Sequence, residues 1–320
     1  MEHDISSGSR KVVVVGAGAV GATYCYSLSQ SGLADEIVII DKNTDLATGQ
    51  VSDLIHGQPF FPTVNIRQGT SDDYTDANLI VITAGSAMKP GETRLDLLKK
   101  NAAIVGGIAE EVALKKSRGV MLIVSNPVDV LTWVAIKRSG WTNNRVIGSG
   151  TVLDSARFRH FIAQHCEVDV HNVHAYILGE HGDSEVAAWS MTHIGGIPID
   201  RYCPLCGGCA GWKHERRKIE QLVRESAYHV INAKGSTHFA VGLALVKITS
   251  SILRRQNSVL TVSVKLSGEY GISDLCLSLP AVVSDTGIVR IVEGPLSAEE
   301  IELLQHSGSV LKEAINLLNQ

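Results

Sequence analysis

No apolar run in this 320-residue chain approaches the roughly 20 residues needed to cross a bilayer, so the sequence predicts no membrane span. Basic residues hold no majority either. The 29 Lys and Arg face 33 Asp and Glu, and a formal net charge of −4 offers no broad surface to nucleic acid or anionic lipid. Six cysteines are too few for a disulfide framework at this length. Cys25, Cys166 and Cys276 stand alone among apolar neighbours and read as reduced core residues. The opening MEHDISSGSRK is polar and has no apolar segment of the secretory kind, so a cytoplasmic location is expected. Internal repeats and low-complexity linkers are also missing.

What remains is an ordinary globular composition, 44% hydrophobic and 19% charged, in a chain long enough for two domains. From Lys11 to about Gly148, β-branched runs at Val12–Val15, Ile37–Ile40, Leu79–Thr83, Met121–Val124 and Arg145–Ile147 alternate with helical patterns. That alternation predicts an α/β fold: a Rossmann-type, doubly wound parallel sheet in residues 10–149. Residues 150–320 read as a second α+β substrate domain. Helices are expected near Leu153–Cys166, His214–Lys234 and Ala298–Asn319, and strands at Val173–Leu178, Leu260–Leu266 and Leu275–Leu279.

After the first predicted strand comes GAGAVG, with Gly16, Gly18 and Gly21 in G-x-G-x-x-G positions. Glycines suit this place because side chains would keep a pyrophosphate from the free N–H groups at the helix start. Asp41 closes the second strand about 20 residues later, where a carboxylate accepts from both ribose hydroxyls and repels a 2′-phosphate. The expected cofactor is NAD rather than NADP.

Four longer segments carry more specific information: KPGETRLDL, SNPVDV, GTVLDSARF and ILGEHGDSE. On these segments the chain resembles the lactate/malate dehydrogenase family, and its lactate branch most closely. Elementary chemistry agrees. Interconverting a 2-hydroxy and a 2-keto acid by hydride transfer needs a group that gives and takes a proton at the C2 oxygen. A histidine such as His181, with an ordinary value of about 6.5, does both near neutrality. The resemblance implies that Asp154 orients and stabilises the His181 ring, and that Arg157, on the same helix face, grips the substrate carboxylate through two prongs. It further implies that Arg94 closes over the substrate and polarises its C–O bond, that Asn126 bonds the same oxygen, and that Thr237 lines the pocket. Cofactor contacts are implied at Val20, Ala84, Gly85, Ser125 and Asn126 as well. The Tyr-x-x-x-Lys pair of short-chain dehydrogenases is missing.

Three features stand beside this pattern. Met88 occupies the position where the lactate branch has Gln and the malate branch Arg, so it cannot pair a second substrate carboxylate. An apolar thioether there admits pyruvate and also larger apolar 2-keto acids, and it also suits simple packing under a lid. Arg159, about 200° round the helix from Arg157, matches with His174 a pair that binds fructose 1,6-bisphosphate between subunits of allosteric bacterial members. A solvated Arg and a strand His are the plain alternative, and a homotetramer is the implied assembly. Finally, Cys203, Cys206 and Cys209, with His214 near, have spacing that suits zinc. The family uses no metal in this stretch, and none is expected.

Overall fold

The computed structural model describes residues 9–87, 91–206 and 211–318. In chain order the first half comprises β1 (Lys11–Val15), α1 (Ala19–Ser31), β2 (Glu36–Ile40), α2 (Thr44–His56), β3 (Asn65–Gln68), β4 (Leu79–Ile82), α3 (Arg94–Leu114), β5 (Val120–Ile123), α4 (Val128–Ser139) and β6 (Val146–Gly148). These six strands are parallel, in the order β6-β5-β4-β1-β2-β3. The first half is therefore the expected doubly wound sheet. Continuous β-branched runs form its centre because both faces are covered. Val12 and Val14 enter one core, with Tyr24 and Leu28 of α1, while Val13 and Val15 enter the other, with Val105 and Ala109 of α3.

The second half begins with α5 (Val152–Cys166), β7 (Val173–His174), β8 (Ile177–Leu178), β9 (Val186–Ala187), β10 (His193–Ile194), β11 (Ile197–Pro198) and α6 (Ile199–Cys206). It continues with α7 (Trp212–Lys234), α8 (Phe239–Leu253), β12 (Ser258–Ser267), β13 (Ser273–Ser284), β14 (Gly287–Ile291) and α9 (Ala298–Leu318). The predicted helices form within two residues of their expected starts. One expectation on strands needs correction. Residues 173–178 are not one strand: β7 pairs with β10, whereas β8 pairs with β9 in a separate sheet. Between them the Ala175 carbonyl accepts from Arg159 Nε at 3.2 Å and the Tyr176 carbonyl from the Ala188 amide at 3.0 Å, so the chain changes partners there. The strands β3, β9, β10, β11 and β14 were not foreseen; β9, β10 and β11 are two residues long, and the edge strand β3, sequence NIRQ, carries a single fully buried apolar residue, Ile66.

The two halves share one sheet. Strands β12, β13 and β14 extend the parallel sheet antiparallel beyond β6, making nine strands among the described residues. The joint is the single pairing of Gly148 with Ser263. A Cβ on Gly148 would lie 2.4 Å from Thr132 Oγ1 and 2.8 Å from Ser263 Cβ, so only glycine fits where β6 meets β12. A second tie is the buried 2.6 Å hydrogen bond between Tyr24 of α1 and Thr249 of α8. No helix among the described residues is long and apolar enough to cross a membrane.

Gly148→Ala is expected to destabilise the chain by about 1–3 kcal/mol through overpacking at this joint. Gly107→Ala is the contrast: an added Cβ on this exposed α3 glycine meets nothing within 4 Å. It should stabilise by about 0.5–1 kcal/mol through helix propensity. Urea unfolding midpoints check both, and equal midpoints for the two variants would contradict the account.

Candidate active site

His181, the expected proton carrier, is positioned by the start of α5. Thr151 Oγ1 donates to the Ile177 carbonyl at 2.5 Å, and Ser155 Oγ accepts from the Ile177 amide at 2.9 Å. These bonds pin the first turn of α5 against β8. The chain then turns at Gly179, which has φ +90° and bridges to Ser278 of β13, and delivers His181 beside Asp154. His181 Nδ1 donates to Asp154 Oδ2 at 2.6 Å, while Asp154 Oδ1 accepts from Arg157 Nη1 at 2.7 Å. The backbone is fixed separately. The His181 amide donates to Asp129 Oδ2 at 2.8 Å, and Asp129 Oδ1 accepts from Ser263 Oγ at 2.6 Å.

Electrostatics follow from this geometry. Burial pulls the His181 imidazole down, but the charge and hydrogen bond of Asp154, helped by the charges of Asp129 and Glu185, overcome it and hold the ring at about 9. The ring is a cation at neutral pH, and 27% of its side chain stays open. Burial likewise pushes Asp154 upward, and the nearby His181 and Arg157 reverse this, keeping its carboxylate below the ordinary range. Asp129 is raised to about 6 by burial, partly offset by Ser263 and His181.

Around this core the other expected residues take different places. Arg94 is the first residue of α3, after a capping box formed by Thr93 and Asp96, and its side chain is exposed. Its charge acts on Tyr228 of α7, whose hydroxyl donates at 3.0 Å to Asp183, two residues beyond His181. Arg94 is thus near the Tyr228–Asp183 pair. Asn126 is exposed after β5, with its carbonyl accepting from Asn101 Nδ2 at 3.1 Å. Thr237 lies half-buried in the link between α7 and α8. Among the described residues no hydrogen bond joins either side chain to His181. Met88 lies outside the described residues.

The glycine turn fits a dinucleotide. Gly16 has φ +112°, and a Cβ on it would meet the Ala84 nitrogen at 2.7 Å; one on Gly21 would lie 1.9 Å from the Gly16 carbonyl oxygen. Both glycines let the turn pack against the end of β4. Gly18 differs: an added Cβ meets nothing within 4 Å, so it faces open space. The α1 N-terminus there has no side-chain cap and no acid in its first turn, so its N–H groups are free for a phosphate. Asp41 accepts from the Ala17 amide at 2.7 Å and the Asn43 amide at 2.8 Å, which fixes a carboxylate at the end of β2. Val20 is half-buried in the first turn of α1, and Ala84 and Gly85 follow β4. Ser125 Oγ donates to the Ala84 carbonyl at 2.6 Å, tying the β4 and β5 loops together. These residues suit NAD, with Asp41 disfavouring a 2′-phosphate.

Away from the cleft, Arg159 faces β7, with its guanidinium 5.9 Å from the Tyr176 ring. Tyr176 and His174 line, with His193 and Met191, an open concavity of about 350 Å³. Cys203 is buried; the Cys206 side chain and Cys209 lie outside the described residues. No cluster of three or more metal-ligating side chains occurs among the described residues.

Sequence reading missed Asp129 and Glu185. Asp129 sits within the quoted SNPVDV segment, and the signal was an acid in the first turn of the otherwise apolar α4. Glu185 follows His181 by four residues and is buried. Its importance depends on α5 and α7, which local pattern does not reveal.

The glycine contrast gives a test. Gly21→Ala should lower thermal stability, whereas Gly18→Ala should melt like the parent yet weaken NADH at least about tenfold, a loss of about 1.4 kcal/mol. Melting curves and NADH fluorescence titrations read the two effects; tight NADH binding by Gly18→Ala would remove the cradle assigned here.

Comparison with known proteins agrees with this geometry. The NAD-binding domain family of lactate/malate dehydrogenases matches residues 10–148, and the α/β C-terminal domain family of the same enzymes matches residues 151–320. An L-lactate dehydrogenase of Treponema denticola is 55% identical over 311 residues, covering 97% of this chain and 98% of that protein. One from Acetivibrio thermocellus is 50% identical, covering 97% and 98%. Among solved structures, the minor L-lactate dehydrogenase of Enterococcus mundtii in its ligands-bound form superposes with a TM-score of 0.93 at 40% identity, covering 96% of this chain and 98% of that one. A lactate dehydrogenase from a Medee basin deep-sea metagenome library gives 0.94 at 41%, covering 98% and 99%. With both halves matched and relatives aligned end to end, the chain belongs to the lactate/malate dehydrogenase family.

Proposed function

We propose that this chain is an NAD-dependent L-lactate dehydrogenase that interconverts pyruvate and L-lactate. The observation that carries the reading is the buried relay Arg157–Asp154–His181, with its 2.7 and 2.6 Å bonds. Relatives named for the same activity over the full length support it. The broader choice of larger apolar 2-keto acids rested on Met88 and gains no support from those relatives.

The Gly16–Gly21 turn and Asp41 would hold NAD, which when bound would supply hydride exchange at C2 of the substrate. The protein's own groups do the rest. Nδ1 of His181 is engaged by Asp154, which leaves Nε2 to face the reacting oxygen. In reduction Nε2 gives its proton to the C2 oxygen as the hydride arrives, and the ring becomes neutral. In oxidation Nε2 takes the hydroxyl proton, and Asp154 stabilises the resulting cation. Arg157 uses one Nη1 bond on Asp154 and makes no other hydrogen bond among the described residues, so its remaining donors are free for the substrate carboxylate. Arg94 lowers the developing charge on the C2 oxygen, Asn126 donates to that oxygen, and Thr237 walls the pocket.

Assembly and regulation belong to the same proposal. Phe60 is 89% exposed and, with Tyr26, Leu54 and Phe61, lines an open concavity of about 390 Å³ between α1 and the end of α2. Such apolar surface favours association of like chains, in a homotetramer on the family pattern. The His174 concavity, with Arg159 behind Tyr176, supports fructose 1,6-bisphosphate as an activator binding between subunits. Cys25 and Cys276, buried and reduced, suit a reducing, cytoplasmic setting.

Because His181 is held at about 9, its proton is fully available at neutral pH and is lost as pH rises through that value. Pyruvate reduction should therefore decline through about 9, while lactate oxidation, which needs the neutral ring, should rise over the same range. Asp154→Asn should shift the reduction limb downward and cut kcat/KM for pyruvate by about 10²–10⁴-fold. Steady-state profiles with NADH and pyruvate decide this; an unmoved limb in Asp154→Asn refutes the relay. For regulation, fructose 1,6-bisphosphate should lower KM for pyruvate in the parent and not in Arg159→Ala. Identical saturation curves with and without it, at several enzyme concentrations, would leave His174 and Arg159 without that role.

A further inference from the structure

One acid beside the relay has no part in the mechanism above. Glu185 precedes β9, is 9% exposed, and its Oε1 is buried with no hydrogen-bond partner. Charged groups face it from several elements: Asp154 and Arg157 of α5, His181 of the preceding turn, and Arg224 of α7. Arg224 is itself shared with Glu220, whose carboxylate lies 3.9 Å from it. From α9, Glu300 is already occupied by the Ser190 and Ser297 amides. Glu180, on the same turn as His181, accepts from Ser184 Oγ.

Charge balance explains the state of this carboxyl. The cations His181 and Arg157 already have Asp154 as a bonded partner, and Arg224 is shared with Glu220. An ionised Glu185 would add a buried negative charge with an unsatisfied oxygen, a costly arrangement. Burial first, and the charge of Asp154 second, push Glu185 up to about 8 against the pull of His181, Arg224 and Arg157. The influence is reciprocal, since the charge of Glu185 raises His181.

We propose that Glu185 is a positioning residue acting through His181: uncharged while the pocket works at neutral pH, it ionises in alkaline solution and then holds the His181 proton in place. The pair releases its protons as a unit, and reduction extends to higher pH than His181 with Asp154 would support. The proposal rests on the reading of His181 as proton carrier.

The test has two arms. Infrared spectra of the unmodified protein should show a protonated-carboxyl stretch at neutral pH that disappears above about 8 and is missing from Glu185→Gln. The spectrum of the unmodified protein is decisive without turnover and without a folded variant. Lack of the stretch in the unmodified protein at neutral pH overturns the proposal. In the second arm, the alkaline limb of pyruvate kcat/KM should fall by about half a pH unit or more in Glu185→Gln, since a permanently neutral side chain no longer supports the His181 cation. Glu185→Asp should restore the limb. Loss by the same factor at every pH, with the limb unmoved, would mark Glu185 as merely structural. Failure of the underlying reading looks different: His181→Asn would then reduce pyruvate as well as the parent, whatever the infrared spectrum shows.

Discussion

The site depends on a carboxylate, Asp154, that keeps its charge while only 3% exposed. A lone buried carboxylate would take up a proton; this one does not, because His181 and Arg157 bond its two oxygens from opposite sides. The arrangement sets the roles of both partners. It fixes the His181 ring with Nδ1 inward, and it orients the Arg157 guanidinium without using all its donors. Both Asp154 and Arg157 lie on one face of α5, so a single helix register places the acid that steadies the His181 ring and the cation proposed to grip the substrate.

Rigid support reaches this relay from both halves of the chain. Asp129 belongs to α4 of the first half, Ser263 to β12 of the second, and His181 to the turn between β8 and β9. One carboxylate joins all three. The His181 turn is therefore anchored close to the seam where β6 and β12 share a sheet. Buried polar groups of this kind are satisfied as a network, and removing one member leaves others unpaired.

Much of this was legible in the sequence. Continuous β-branched runs revealed β1, β2, β4, β5 and β6, and the glycine turn with Asp41 pointed to a dinucleotide site. The long motifs around Arg94, Asn126, Asp154 and His181 named the chemistry, and the structure brings Asp154, Arg157 and His181 into bonding contact. What escaped depends on tertiary partners. β3 is polar because it lies at the sheet edge, so its pattern carried little signal. The run 173–178 alternates like one strand, and nothing local discloses that Ala175 and Tyr176 exchange one sheet for another. Asp129 works through a backbone amide and Glu185 through distant charges, neither of which has a sequence pattern.

The central strand has a consequence for the cofactor turn. β1 is buried along its whole length, and its valines alternate between two separate cores. Sliding it by one residue would exchange every side chain between compartments shaped for different neighbours. The glycine loop at its end thus inherits a fixed address from the interior, and its placement is set by hydrocarbon packing on both sides of the sheet rather than by the loop's own few bonds.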